Sequence, residues 1–172
     1  IRYKNTICTI CNKIDNTSNS QQIILDYIKY IYKGIVISND RHLGFELDIY
    51  LPDEKIAIEY NGVYWHSDEF KDKNYHYNKT KICSDNGIKL IHIWEDYFLN
   101  KRNIVLSRIS NLLGNSKRIY GRKCRVSYIN NDEYRKFIED NHLQGYAVSK
   151  YRIGIYYNDT LYGVMSFGVL RK

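Results

Sequence analysis

Apolar residues in the first two thirds of this chain fall into short runs whose period switches between that of a helix and that of a strand. Ile24, Leu25, Ile28 and Ile31 recur at helical spacing, which predicts a helix from Gln21 to Tyr32, with Ser20 as its cap and Gly34 ending it. Ile35 to Ser38 reads as a short strand, and Asn39-Asp40-Arg41-His42 as a turn. From Phe45 to Tyr50 the apolar positions are Phe45, Leu47 and Ile49, leaving Glu46 and Asp48 on the opposite face. From Ile56 to Asn61, Ile56 and Ile58 form one face, and Ala57, Glu59 and Asn61 the other. Pro52-Asp53 supplies a turn between these runs, so they predict an antiparallel hairpin.

Lys71 to Asn86 reads as a helix closed by Gly87, Ile88 to Trp94 as a buried strand, and Ile104 to Leu113 as a helix ended by Gly114. This order describes a compact α/β sandwich through about residue 115. The remainder differs in character. Arg118 to Arg125 is basic, Asn131 to Asn141 is a helix capped by Asn130 or Asn131, and Tyr151 to Tyr157 pairs with Thr160 to Gly168 across Asn158-Asp159. This segment reads as the start of a second α/β unit that the chain does not complete. The predicted division is therefore a partial zinc knuckle and linker over 1–19, a core over 20–116 and a C-terminal α/β segment over 117–172.

Charge narrows the function. With 26 Lys and Arg against 19 Asp and Glu, the net charge is +7, which favours a polyanionic partner, nucleic acid ahead of membrane. No run is long enough to cross a bilayer, and no signal-peptide pattern is present. The 18 tyrosines suit base and sugar-phosphate contacts, but an A- and T-rich coding sequence gives the same enrichment, so they weigh little. The chain opens on Ile1, as an excised piece would. Cys8 and Cys11 have the spacing of a zinc knuckle, yet a structural zinc site needs four ligands and no second pair follows. They are either the tail of a zinc ribbon or a free pair. Nothing suggests a disulfide framework, so a reducing, cytoplasmic setting is expected.

The chemistry concentrates in the predicted hairpin. Paired side by side, Asp48 and Glu59 would hold one divalent cation, Mg²⁺ or Mn²⁺, through hard oxygen ligands. Asp48 followed by Glu59-Tyr60-Asn61 resembles the core motif of the PD-(D/E)xK nuclease superfamily, with Asn61 where lysine is usual. Tyr60-Asn61-Gly62-Val63-Tyr64-Trp65-His66, with Trp94 closing the later strand, is similar to the very-short-patch-repair type of endonuclease. It looks closest to the E-D-x-H-D homing endonucleases of phages and introns. The resemblance spans about residues 20 to 115.

It implies a nuclease core of mixed sheet flanked by helices, and a metal-dependent endonuclease acting on double-stranded DNA. It makes Asp48 the metal-binding aspartate, Glu59 the acidic position of the superfamily, and His66 the histidine at the scissile phosphate. His66 would act as general base or stabilise the transition state, while Asn61 orients the water. His76 and Lys79, three apart on one helix face, would contact a phosphate. Trp65 either stacks on bases or belongs to the core. His92 lies in a buried-looking strand and reads as structural.

The family's first glutamate falls where this chain has Gln21-Gln22, and Gln22 takes that catalytic position. A glutamine orients water or phosphate but does not ligate metal as a carboxylate does. Either the site manages without it, or the chain is a catalytically weakened or dead DNA-binding module. Arg118, Arg122 and Lys123 read as a phosphate track or, equally, as solvated surface. The segment after Ser127 resembles a region that often follows such nuclease domains in phage proteins, and faintly the opening of an acetyltransferase-like fold. It lacks that fold's CoA-binding loop, so a DNA-positioning role is expected. One site per monomer would nick DNA; cutting both strands requires a homodimer or a second site.

Overall fold

The computed structural model of the protein describes residues 19–62 and 74–168. The first helix, α1 (Asn19–Ile31), turns Gln21, Ile24, Leu25 and Ile28 inward at the expected spacing. It begins ahead of Ser20, so that serine lies within the helix and does not cap it. Strand β1 (Ile37–Asp40) sits two residues beyond the predicted one. Asn39 and Asp40 therefore belong to the strand, and Gly44, at φ +84°, takes part in the reversal. Strands β2 (Leu47–Leu51) and β3 (Ile56–Asn61) form the predicted hairpin. Its turn is closed by Lys55 N–H donating to Pro52 O at 3.2 Å, with Lys55 at φ 51°.

Helix α2 (Tyr75–Asp85) then crosses over to β4 (Lys89–Trp94), which pairs with β3 in parallel. Gly87 at φ +73° follows α2, and Ile88 N–H returns to Cys83 O at 2.8 Å, an end that requires the left-handed conformation. The sheet order is β1-β2-β3-β4, antiparallel except for its last pair. Two helices follow where one was expected: α3 (Glu95–Asn100) and α4 (Arg102–Leu112).

The strands alternate between two cores. Ile49, Leu51, Ile56, Ile58, Ile91 and Ile93 face α1, α3 and α4, meeting Ile24, Ile28, Phe98, Val105 and Ile109. On the other side Ala57 and Leu90 meet Cys83 of α2, together with Leu47 and Ile88. Truncating a fully buried residue of this kind to Ala costs about 2–5 kcal/mol. Burial also pushes the Cys83 thiol above its usual range. The layers are thus helices, mixed sheet and helix, the α/β core of mixed sheet flanked by helices that was expected. No helix among the described residues is long and apolar enough to cross a membrane.

A second sheet follows. The basic run ends in a short 3₁₀ turn at Gly121–Lys123 and an unforeseen strand, β5 (Arg125–Tyr128). Helix α5 (Asn131–Asn141) has the predicted bounds, because the Asn130 side chain accepts from Glu133 N–H at 2.8 Å. Strands β6 (Tyr151–Tyr157) and β7 (Thr160–Phe167) form a hairpin through Asn158 and Asp159, both at positive φ, and β5 pairs with β6. Leu143 packs against the larger core, and Lys101 Nζ donates to Glu139 O at 2.6 Å.

Candidate active site

The polar side chains of β3 lie on the α2 side of the sheet because their neighbours Ile56 and Ile58 are committed to the larger core. Parallel register sets Glu59 beside His92 and Asn61 beside Trp94. Helix α2 lies against this side and contributes His76, Lys79 and Thr80. Three and four residues apart, they share one helical face.

Lys79 is only 5% exposed. Its Nζ donates to Glu59 Oε1 at 2.6 Å and to Glu46 O at 2.6 Å. The rings of Phe45 and Tyr75 stand 5.4 Å and 5.9 Å from the ammonium. Removing an ion from water costs several kcal/mol, and here an anion, a carbonyl and two π faces offset that cost. Lys79, expected to contact a DNA phosphate, has its ammonium inside the protein, on Glu59. Sequence reading had both residues but not their pairing, since 20 positions separate them.

A second chain of contacts runs through Asn61, which is fully buried. Its Nδ2 lies 3.0 Å from His92 Nδ1, and His92 Nε2 lies 2.9 Å from Thr80 Oγ1. Thr80 Oγ1 donates to His76 O at 2.7 Å, which uses its one proton. It must therefore accept from His92 Nε2–H, so His92 Nδ1 accepts from the Asn61 amide. One neutral tautomer satisfies both ring nitrogens of His92. Burial, with His76 and Lys79 nearby, lowers the His92 pKa from 6.5 to about 4, which keeps the ring neutral. The His76 ring meets His92 at 5.4 Å and Trp94 at 5.2 Å, edge to face in both cases. Thr80 was not singled out from the sequence, although its position one turn after His76 carried the signal.

Asp48 approaches from β2. Its Oδ2 accepts from Tyr60 N–H at 2.8 Å, so the backbone of β3 orients this carboxylate. Among the described residues, no three His, Cys, Asp or Glu side chains converge as a metal cluster. Magnesium does not require one; it is commonly held by one or two carboxylates, waters and substrate phosphate. Asp48 and Glu59 are carboxylates of that type, the first oriented by a backbone amide and the second by Lys79. The donor chemistry therefore fits one hard cation, with Lys79 limiting what Glu59 has left to give.

Gln22 does not face this site. It is exposed on α1, and its Nε2 donates to Asp26 Oδ1 at 2.8 Å. The inward residue is Gln21, at 8% exposure, because it shares the helical face of Ile24, Leu25 and Ile28. Gln22, expected to take the catalytic position, thus lies on the outward face of α1. Arg118, Arg122 and Lys123 are exposed around the 3₁₀ turn, with Arg118 over the Tyr120 ring at 5.6 Å. Trp65, His66, Cys8 and Cys11 lie outside the described residues.

No family model and no curated protein matches the chain. Among solved structures it is similar to the catalytic domain of the homing endonuclease I-Bth0305I. The identity is 24% and the TM-score 0.46, over 55% of this chain and 93% of that one.

Proposed function

We propose that the protein is a metal-dependent endonuclease that hydrolyses phosphodiester bonds of duplex DNA, of the homing type carried by phages and mobile elements. The observation that carries this reading is the buried contact between Lys79 and Glu59, beside Asn61. In the motif that Asp48, Glu59 and Asn61 resemble, a lysine two positions after the acid brings a cation to the carboxylate. Here that position holds Asn61, and helix α2 brings the cation instead. A partly buried Glu, a buried Lys and a backbone-oriented Asp thus occupy one end of the sheet, an arrangement that suits phosphate chemistry.

Asp48, with Glu59 beside it, would hold Mg²⁺ or Mn²⁺, which supplies Lewis-acid stabilisation of the phosphate when bound. The chain's own groups divide the remaining work. Lys79 fixes Glu59 and balances its charge. The Tyr60 amide aims Asp48. Asn61 spends its amide nitrogen on His92, and its buried Oδ1, without a partner among the described residues, can accept a hydrogen bond from the attacking water and orient it. His66 is the group we assign to proton transfer at the scissile phosphate.

The test is supercoiled plasmid incubated with protein, with and without Mg²⁺, alongside Asp48→Ala and His66→Ala. Metal-dependent relaxation or linearisation, abolished by Asp48→Ala while DNA binding persists, is the expected result. The α1 geometry favours one competing reading, a DNA-binding module without catalysis, because Gln21 and not a carboxylate occupies the buried helical face. Retained DNA binding with no cleavage at any Mg²⁺ or Mn²⁺ concentration would establish that reading.

A further inference from the structure

Strand β4 is an edge of its sheet, and a cavity of about 200 Å³ lies along it. Ile91 to Trp94 line one side, and Val105, Arg108, Ile109 and Leu112 of α4 face them at helical spacing. Successive side chains of a strand turn to opposite faces, so a cavity that touches four in a row meets the strand at its edge.

The register says what that edge offers. Lys89 N–H donates to Lys55 O at 2.8 Å, so in this parallel pair the main-chain groups of Ile91 and Ile93 also turn toward β3. Those of Leu90, His92 and Trp94 turn outward. Leu90 does not border the cavity, and Trp94 is the N-cap of α3, whose first turn takes its carbonyl. The His92 ring is held on the α2 side by Asn61 and Thr80. What His92 brings to the cavity is therefore its main-chain N–H and C=O, a donor beside an acceptor. No strand among the described residues pairs them.

The mouth is different. Tyr97, Arg108 and Leu143 line both this cavity and an outer recess, to which Asn141, His142 and Gln144 contribute. Arg108 is exposed and has no acidic partner among the described residues, and neither lining includes a carboxylate. The acids Glu139 and Asp140 line a separate recess beside Lys101 and Arg102.

Volume and chemistry together select the occupant. Drug-sized ligands take pockets of roughly 300–1,000 Å³, so this one has room for a single ring system. A hydrocarbon would leave the His92 donor and acceptor unpaired away from water. A peptide strand laid along the edge would need several such pairs in succession, and one is offered. A nucleobase has apolar faces for the walls, a donor beside an acceptor on its pairing edge, and a phosphate to reach the guanidinium.

We infer that this cavity receives one unstacked nucleotide, its base against the His92 main chain between β4 and α4 and its phosphate at Arg108. On the duplex-DNA reading, the nucleotide is one turned out of the helix across β4 from Glu59 and Asn61. A free mononucleotide presents the same chemistry.

Binding measured without divalent metal tests this apart from cleavage. The probes are a fluorescein-labelled duplex, the same duplex with one unpaired adenosine, and dAMP in equilibrium dialysis. Leu112→Trp fills the cavity, and Arg108→Gln changes an exposed residue and spares the fold, with far-UV circular dichroism as the check. The expected result is that the unpaired adenosine tightens binding at least about tenfold, and that either variant cuts this preference below about threefold. Saturable dAMP binding lost in both variants, without any preference between duplexes, assigns the cavity to free nucleotide. A preference unchanged in both variants overturns the inference, as does the absence of both the preference and dAMP binding. If paired duplex is still bound in that last case, the nuclease reading stands without it; dAMP binding with no duplex binding refutes that reading and leaves the cavity its ligand.

Discussion

Replacing Lys79 by Met separates two properties of a buried ion pair that are often confused. At 2.6 Å and an effective dielectric constant of ~20, the attraction between Lys79 and Glu59 is about 6 kcal/mol. Desolvating each ion costs several kcal/mol, so the pair as a whole is worth little compared with an apolar pair of the same volume. Removing one partner is another matter. Lys79→Met leaves the Glu59 carboxylate without its counter-charge in a site where it is nearly buried, and deprives Glu46 O of its donor. The expected loss is about 3–5 kcal/mol, or roughly 10 °C in melting temperature for a chain of this size. The double change Lys79→Met with Glu59→Leu should recover most of it. Urea unfolding at neutral pH, followed by far-UV circular dichroism on the four members of the cycle, measures the coupling. A cost below about 1 kcal/mol for Lys79→Met, or additivity in the double variant, would refute the argument.

Three further outcomes are expected. His92 has a pKa of about 4 in the fold against 6.5 ordinarily, so between those values the unfolded chain binds the extra proton. The stability carried by the neutral ring is complete above pH 6.5 and lost as the pH falls toward 4. The whole shift would amount to about 3 kcal/mol, and solvent screening of this half-buried ring reduces it to about 1–2 kcal/mol. Urea midpoints should fall over that window in the protein but not in His92→Gln; parallel curves would contradict it. Gln22→Ala should change stability by less than about 0.5 kcal/mol and Gln21→Ala by about 1–3 kcal/mol, and thermal melts giving equal losses would mean that α1 is turned differently. Arg122→Ala and Lys123→Ala should each reduce the slope of log affinity for duplex DNA against log salt by about 1, whereas an unchanged slope puts the DNA elsewhere.

What the sequence disclosed depended on how local each signal was. Helix α5 was legible to the residue because Asn130 caps it from an adjacent position, and the β6-β7 turn because Asn158 and Asp159 tolerate positive φ. Helix α3 was missed because Trp94 passes directly from strand to helix, with no glycine or proline to mark the change. Strand β5 was hidden because its flanking arginines and lysines drew attention to charge and away from the alternation of Val126 and Tyr128. At the site, Asp48, Glu59 and Asn61 could be found by alternation along two neighbouring strands. The partners of Glu59 and Asn61 could not. Lys79 and His92 reach them from positions 20 and 31 residues away, and only the crossover through α2 brings them together.

That crossover also gives the molecule its own clock. Cys83 lies one turn beyond Lys79 on α2, fully buried between the helix and the sheet, and its thiol is held in the protonated, unreactive form. An alkylating reagent can reach it only when α2 lifts from β3 and β4. Lifting α2 also parts Lys79 from Glu59 and Thr80 from His92. At reagent concentrations where alkylation outpaces reclosing, the rate at which Cys83 reacts therefore counts the openings of the site, with no substrate needed and no probe added to the chain.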